Sequence, residues 1–358
     1  MSIQSIVPIL GRVEAFDDAV SASRQSADFT LVDGMRAPLL AGLVANRDAR
    51  SRAVLVITPT SREADQLRGD IAAYLPDAEI VEFAAWETLP HERLSPSAET
   101  TGRRLAAMRA LAEWSRGERD KPFVMLASVR AALQPLFKGL DEPLTIDLAA
   151  GSRGNDLDQI AARLVELAYT RVDMVTRRGE FAVRGGILDV FPPDSDFAVR
   201  IDFFGDEVEE IRPFGVADQR SLAQTLEGAR LTPSRELLLT DDVRGRARQM
   251  LGEFPGLEGI LTKLSEGMPA EGMESLAPAL TDGLTSLVDY LPQEAAIAVM
   301  SPERVVSRAI DLRDTNREFL EAAWSAATAG AESPIDLSGG DFYTCLLYTS
   351  DAADDLLC

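Results

Sequence analysis

Residues 53–63 read AVLVITPTSRE, and this stretch decides the fold class. Its first six residues are a run of apolar and β-branched side chains, as expected of a strand buried in a parallel sheet. Residues 60–63 follow as Thr-Ser-Arg-Glu, a capping box that predicts the start of a helix. A strand that leads directly into a helix is the repeating unit of α/β folds.

The same alternation continues around this unit. Further strands are predicted at 29–32, 79–83 and 123–127, and amphipathic helices separate the later ones. Strands that alternate with helices predict a parallel sheet covered by helices on both faces. We therefore expect residues 1–140 to belong to an α/β domain.

Residues 145–225 have a different pattern, in which one helix is followed by strands and turns. Phe181 to Arg184 runs into Gly185-Gly186, a pair that predicts a two-residue hairpin. One helix with a strand meander predicts a small α+β domain.

Residues 228–335 are mainly helical but contain one predicted strand at 295–300. An isolated strand needs a sheet, and the nearest candidate is the first one. We therefore expect 228–335 to form the second half of the α/β domain. The α+β domain at 145–225 would then be inserted between the two halves.

Composition excludes several classes of function. The chain of 358 residues has a formal net charge of −22, which argues against a broad phosphate-binding surface. His91 is the only histidine, and the two cysteines are Cys345 and Cys358. A zinc site and histidine-based nucleophilic catalysis are therefore not expected, nor is any cofactor. Carboxylates are numerous, but no pair among them points to a catalytic residue.

The ends of the sequence carry no sign of export. No apolar run approaches the roughly 18 residues that a membrane-spanning helix needs, and the first residues have no secretory pattern. We expect the chain to be cytoplasmic. Residues 338–358 begin with Ser-Gly-Gly and then change abruptly in composition. We interpret them as a linker and a disordered tail, and the chain as an incomplete coding sequence.

A nucleotide site is the first function to test in an α/β domain. A P-loop needs G-x-x-x-x-G-K-[ST], and the dipeptide Gly-Lys occurs nowhere in this sequence. The turn after residues 29–32 has only Gly34, Arg36 and Pro38, and Pro38 removes an amide that a phosphate would use. This turn is either an ordinary strand-to-helix connection or a divergent nucleotide site that uses Arg36.

Arginine is concentrated between residues 169 and 191, at Arg171, Arg177, Arg178 and Arg184. Strand alternation places Arg184 on the opposite face from Phe181. An edge rich in arginine beside a tight hairpin suits an acidic protein partner, because guanidinium groups pair bidentately with carboxylates. The alternative is a solvated outer face. A second dense segment, residues 86–96, is either a packed connector or a binding loop.

These segments resemble a known family. Residues 178–192, RGEFAVRGGILDVFP, are similar to a signature shared by the excision-repair helicase UvrB and the bacterial transcription-repair coupling factors, the Mfd family. WETLPHERLSP at 86–96, RIDFFGDE at 200–207 and GMES at 272–275 also resemble the coupling factors. The resemblance covers roughly residues 5–335. Unlike UvrB, the chain has no P-loop lysine and no long β-hairpin after Pro96.

The resemblance implies a degenerate helicase-like domain in two halves that does not hydrolyse ATP. It also implies that the inserted domain binds UvrA through Arg171, Arg178 and Arg184. The family's RNA-polymerase-binding and DNA-translocating modules lie elsewhere in its full-length chains, so RNA polymerase and DNA are not expected partners here. We therefore expect a non-catalytic adaptor that recruits UvrA. The alternatives are an ATP-dependent DNA helicase with a divergent nucleotide site and a structural scaffold without affinity for UvrA.

Overall fold

The computed structural model describes residues 6–22, 26–45, 52–254, 256–329 and 332–335. The predicted linker and tail at 338–358, with both cysteines, lie outside the described residues. The described helices are α1 (Ile6–Leu10), α2 (Glu14–Ala22), α3 (Arg36–Ala45), α4 (Ser61–Tyr74), α5 (Ala98–Ser115), α6 (Val129–Leu133), α7 (Leu157–Glu166), α8 (Asp241–Gln249), α9 (Glu258–Ser265), α10 (Ala277–Leu280) and α11 (Pro302–Thr328).

The described strands belong to one parallel sheet, one five-stranded sheet and two short pairs. They are β1 (Ala53–Thr58), β2 (Glu79–Phe83), β3 (Phe123–Ser128), β4 (Leu136–Phe137), β5 (Ile146–Ala149), β6 (Thr170–Arg171), β7 (Glu180–Arg184), β8 (Ile187–Val190), β9 (Ala198–Phe204), β10 (Glu207–Phe214), β11 (Gly228–Leu231), β12 (Leu284–Thr285) and β13 (Ala296–Val299).

The parallel sheet has the strand order β13-β1-β3-β2. Helices α3 and α4 pack on one face and α5 packs on the other, where α8 and α9 contribute to the same apolar core as α5. Strand β13 pairs with β1, with Val54 opposite Ala296 and Ile57 opposite Val299. This pairing confirms that the isolated strand returns to the first sheet. The predicted fold class is confirmed: an α/β domain in two halves with an inserted small domain.

The strand predicted at 29–32 is wrong. These residues form no ladder, and the side chain of Val32 is 73% exposed. The two positions beside β1 are filled by β13 and β3, so the segment has no place next to the central strand. An apolar run by itself predicts a strand but does not supply the partner that a strand needs.

The inserted domain is built on an antiparallel meander with the strand order β10-β9-β8-β7-β6, in which only β6 pairs in parallel. Helix α7 contributes Leu164 to the apolar core that also contains Phe181 and Ile201. Strand β11 pairs with β5, and Leu231 is fully buried in the same core. The domain therefore extends to Leu231, past the predicted boundary at 225, because its last strand closes back on its first.

The inserted domain contacts the α/β domain along α5. A Cβ atom added at Gly102 would lie 2.3 Å from the carbonyl carbon of Pro193 and 2.4 Å from its oxygen. Next to this contact, Arg109 on α5 donates hydrogen bonds to Asp194 at 3.3 and 3.4 Å. The glycine lets the backbone of the inserted domain lie directly on the helix.

We expect Gly102→Ala to lower the free energy of unfolding by about 1–3 kcal/mol, because the backbone at Pro193 must move away. The matched control is Gly69→Ala in α4, where nothing lies within 4 Å of an added Cβ. That change should raise the free energy of unfolding by about 0.5–1 kcal/mol, since alanine is the better helix former. Urea titrations measure both. Equal stabilisation by the two changes would contradict the close contact.

Candidate partner-binding surface

The β7–β8 hairpin is built around two glycines with different tasks. Gly185 has a φ of +60°, a conformation that favours glycine. At Gly186 a Cβ would lie 2.8 Å from the carbonyl oxygen of Phe203. The amide of Phe203 donates to the carbonyl of Gly186 at 2.8 Å. The turn therefore needs its first glycine for the backbone conformation and its second for the close approach of β9.

A fully buried carboxylate, Asp189, lies beneath this hairpin. Arg200 donates to both of its oxygens, from Nε at 2.6 Å and from Nη2 at 2.8 Å. The hydrogen bond to Asp189 raises the pKa of Arg200, which also stacks over Phe214. Arg184 adds a third hydrogen bond, from Nη2 at 2.5 Å.

Of Arg184 and Arg200, Arg184 is the more accessible to a partner protein. Its side chain is 51% exposed, against 18% for Arg200. Because Arg200 already holds Asp189 at both oxygens, Arg184 can turn toward a partner without leaving that buried carboxylate unpaired. The arrangement presents one exposed guanidinium from a rigid strand end.

Arg171 lies in the short strand β6 and is exposed. Its guanidinium has no hydrogen-bond or ion-pair partner among the residues that the structure describes. The strand register places Arg171 opposite Phe181. Phe181 is three residues before Arg184 in β7, so the backbone positions of Arg171 and Arg184 differ by about 10 Å along the strand direction. Strand alternation places the side chains of Arg171 and Arg184 on opposite faces of the sheet, but both residues lie in the two strands at its β6–β7 edge.

The structure places Arg178 apart from the other two. It donates to the carbonyl of Ser195 at 3.2 Å and to Glu99 on α5 at 3.3 Å. Its guanidinium also stacks over Phe191 at 4.9 Å. Arg178 thus lies in the groove between α5 and the inserted domain, where its own chain already supplies its partners.

The turn that would hold a nucleotide phosphate is occupied by ion pairs. Residues 33–35 form one 3-10 turn, and Gly34 within it is exposed. Arg36 contacts Asp33 at 3.0 Å and donates to the hydroxyl of Ser301 at 3.2 Å. Pro38 is buried in α3. These contacts fit an ordinary turn into a helix better than a phosphate cradle.

A second ion pair reinforces this edge. Arg304 donates to Glu63 at 2.6 Å. Burial raises the pKa of Glu63, but the hydrogen bonds from Arg304 and Thr60 outweigh it, so the pKa of Glu63 is lowered overall. Arg304 is therefore already paired with Glu63 of its own chain.

The segment at 86–96 packs as a connector. The indole nitrogen of Trp86 donates to Glu236 at 2.9 Å, and the hydroxyl of Ser95 donates to Glu274 at 2.5 Å. The amide of Gly272 donates to the same hydroxyl at 3.0 Å. Two motifs that the resemblance singled out, at 86–96 and 272–275, thus hold the two halves of the α/β domain together.

Comparisons with known proteins match this architecture. Residues 146–237 match the family model described as the UvrB interaction domain. Over 356 residues the chain is 44% identical to the transcription-repair-coupling factor of Mycobacterium bovis, covering 93% of this chain and 28% of that relative. The chain belongs to the transcription-repair-coupling factor family.

Two more distant members agree. The coupling factor of Myxococcus xanthus is 33% identical over 84% of the chain and 26% of its own length. That of Bacillus subtilis is 27% identical over 85% of the chain and 28% of its own length. The chain thus spans less than a third of these coupling factors. The matched interaction domain ends at residue 237, close to the last strand of the insertion.

No described helix is both long enough and apolar enough to cross a membrane. The described histidines, aspartates and glutamates form no group of three or more arranged to hold a metal ion.

No role was predicted from sequence for Asp189, Arg104 or Glu236. The sequence does mark Asp189, because this charged residue interrupts the apolar run of a strand between Leu188 and Val190. The other two form an ion pair that local sequence does not reveal.

Proposed function

We propose that this chain is a non-catalytic adaptor segment of transcription-coupled nucleotide excision repair, and that it recruits UvrA. The observation that carries the proposal is the match of residues 146–237 to the UvrB interaction domain. We take the insertion from β5 to β11 as the UvrA-binding domain and the two α/β halves as its support. The adaptor would act in the cytoplasm, with RNA polymerase and DNA bound by other modules of the family.

The chemistry of the β6–β7 edge supports an acidic contact. Arg171 has no partner within the described residues, and Arg184 is half exposed. A carboxylate of UvrA facing either group would gain a charge-assisted, bidentate hydrogen bond, which is among the stronger polar contacts. Arg178 remains a proposed contact, but its guanidinium would have to leave Glu99 or contribute by holding the domain in place.

The experiment that tests this proposal is a calorimetric titration of the chain with purified UvrA. Saturable binding in a one-to-one ratio of chain to UvrA protomer is expected. If the chain does not bind UvrA, the adaptor function is overturned and the structural scaffold remains as the alternative.

The rival function, an ATP-dependent helicase, is tested by nucleotide binding. We expect no ATP binding up to millimolar concentration with magnesium present, because Arg36 and Arg304 are held by ion pairs and Pro38 removes an amide. Isothermal titration calorimetry measures it. Micromolar, magnesium-dependent binding that is lost in Arg36→Ala would show a divergent nucleotide site and contradict the adaptor as an exclusive function.

A further inference from the structure

Gln219 has an uncommon backbone conformation. Its φ is +59°, a left-handed value that glycine adopts readily and that other residues adopt at a cost. The residue closes the turn after β10, in which its amide donates to the carbonyl of Gly215 at 2.8 Å and the amide of Gly215 donates to the carbonyl of Arg220 at 3.0 Å. Glycine would form this turn without strain, so a glutamine here points to a role for its side chain.

The side chain of Gln219 ties this turn to a loop 44 positions earlier in the chain. Its amide nitrogen Nε2 donates to the carbonyl of Val175 at 3.0 Å and to the carbonyl of Val216 at 2.8 Å. The side chain of Val175 is fully buried in a small apolar core that also contains Phe214. The hydrogen bond therefore fixes the backbone of residues 172–178, here called the arginine loop, at the point where a loop side chain enters that core.

The arginine loop follows directly on Arg171. Strand β6, which carries Arg171, has two residues and lies at the edge of its sheet. It is joined to β7 by the amides of Thr170 and Val172, which donate to the carbonyls of Gly179 and Phe181. So short an edge strand depends on the loop that follows it for a fixed position.

The backbone of Gln219 contacts the second arginine of the surface. Its carbonyl accepts a hydrogen bond from Nη1 of Arg200 at 3.3 Å. Arg200 pairs with Asp189, to which Arg184 also donates. The side chain of Gln219 thus bears on Arg171, and its backbone bears on Arg184. Because a change to glycine removes the side chain and keeps the carbonyl, the two contributions can be separated.

We propose that Gln219 is a positioning residue of the UvrA-binding surface and that it acts through Arg171. Its side chain holds the arginine loop against the small apolar core, so that Arg171 presents its guanidinium from a fixed backbone. A preorganised group binds more tightly, because less conformational freedom is lost on association. The inference rests on the proposed function and names the residue that fixes the geometry of one proposed contact.

The test variant is Gln219→Gly, which removes the side chain and the backbone strain together. The matched control is Ala168→Gly, because Ala168 also has a left-handed φ, of +63°, but its side chain cannot form hydrogen bonds. Both variants should remain folded in thermal unfolding, since glycine relieves the strain at each position. Gln219→Gly should bind UvrA about 3- to 10-fold more weakly, as expected if the binding-competent arrangement falls to roughly a tenth to a third of the population. Ala168→Gly should bind as wild type does.

Two backgrounds identify the arginine through which Gln219 acts. In the Arg171→Ala background, Gln219→Gly should weaken binding by less than about twofold, because the group that it positions is already gone. In the Arg184→Ala background it should keep its full effect of about 3- to 10-fold. A loss by the same factor in both backgrounds would mean a general structural role and would overturn the inference.

Limited digestion with trypsin measures the arginine loop directly. Cleavage after the exposed Arg177 requires the loop to open locally, so it should be faster in Gln219→Gly than in wild type and Ala168→Gly. Gln219→Met, which keeps the length of the side chain but has no donor, should also be cleaved faster. Equal cleavage of all four proteins would mean that the hydrogen bond does not hold the loop, and would overturn the inference.

The titrations separate this inference from the proposed function. If wild type binds UvrA and Gln219→Gly binds it equally well, the positioning role is overturned and the adaptor function stands. If wild type does not bind UvrA, the adaptor function is overturned and the positioning role with it.

Discussion

Replacing Arg104 with alanine is expected to lower the free energy of unfolding by about 3–5 kcal/mol. The side chains of Arg104 and Glu236 are 0% and 1% exposed, and their Nε and Oε1 atoms are 2.5 Å apart. Arg104 also donates to the carbonyl of Ala84 and stacks over Phe83 and Trp86. Without the guanidinium, the carboxylate of Glu236 would remain buried, and among the described residues only the indole of Trp86 would donate to it.

The next residue in the helix provides the control. Arg103 pairs with Glu82 at 2.8 Å, but its side chain is 49% exposed. Arg103→Ala should therefore cost no more than about 1 kcal/mol, as exposed ion pairs do. Urea unfolding of both variants gives the comparison. Similar losses for Arg103→Ala and Arg104→Ala would mean that burial of the pair does not determine its importance.

The fold class followed from local patterns that are properties of short segments. The apolar run at β1, the capping box after it and the isolated strand at β13 each need only a few neighbouring residues to be recognised. In the structure Thr60 does accept the amide of Glu63, as the capping box predicts. Pairing is a different property, and so the run at 29–32 was predicted as a strand although β13 and β3 fill both positions beside β1.

The buried ion pair could not be predicted in this way. Its two residues are 132 positions apart, on opposite sides of the insertion in sequence. In the sequence Arg104 is one arginine among many in a helix, because nothing local shows that its whole side chain is enclosed.

The candidate site was predictable in part. Composition and the resemblance both pointed to the arginines between 169 and 191, and the exposure of Arg171 and Arg184 agrees with a surface role. The position of Arg178 depends on Glu99, 79 residues earlier in the chain. Such a contact is set by how the two domains pack, and a sequence pattern does not contain that information.

Replacing Arg184 with alanine is expected to weaken UvrA binding by roughly 30-fold or more, the effect of removing one partner of a desolvated charge pair. The fold should remain intact, because Arg200 keeps both oxygens of Asp189 satisfied. Arg171→Ala should have a similar effect on binding and none on unfolding. Arg178→Ala should in addition lower the melting temperature, since this side chain ties the insertion to α5. Arg62→Ala, an exposed arginine of α4, is the control.

The measurement that tests the central claim most directly is the calorimetric dissociation constant of UvrA with wild type, Arg171→Ala, Arg178→Ala and Arg184→Ala. The account predicts that wild type and Arg62→Ala bind alike, and that Arg171→Ala and Arg184→Ala bind at least about 30-fold more weakly while folded. If all three site variants fold normally and bind UvrA within about twofold of wild type, the inserted domain does not bind UvrA through these arginines.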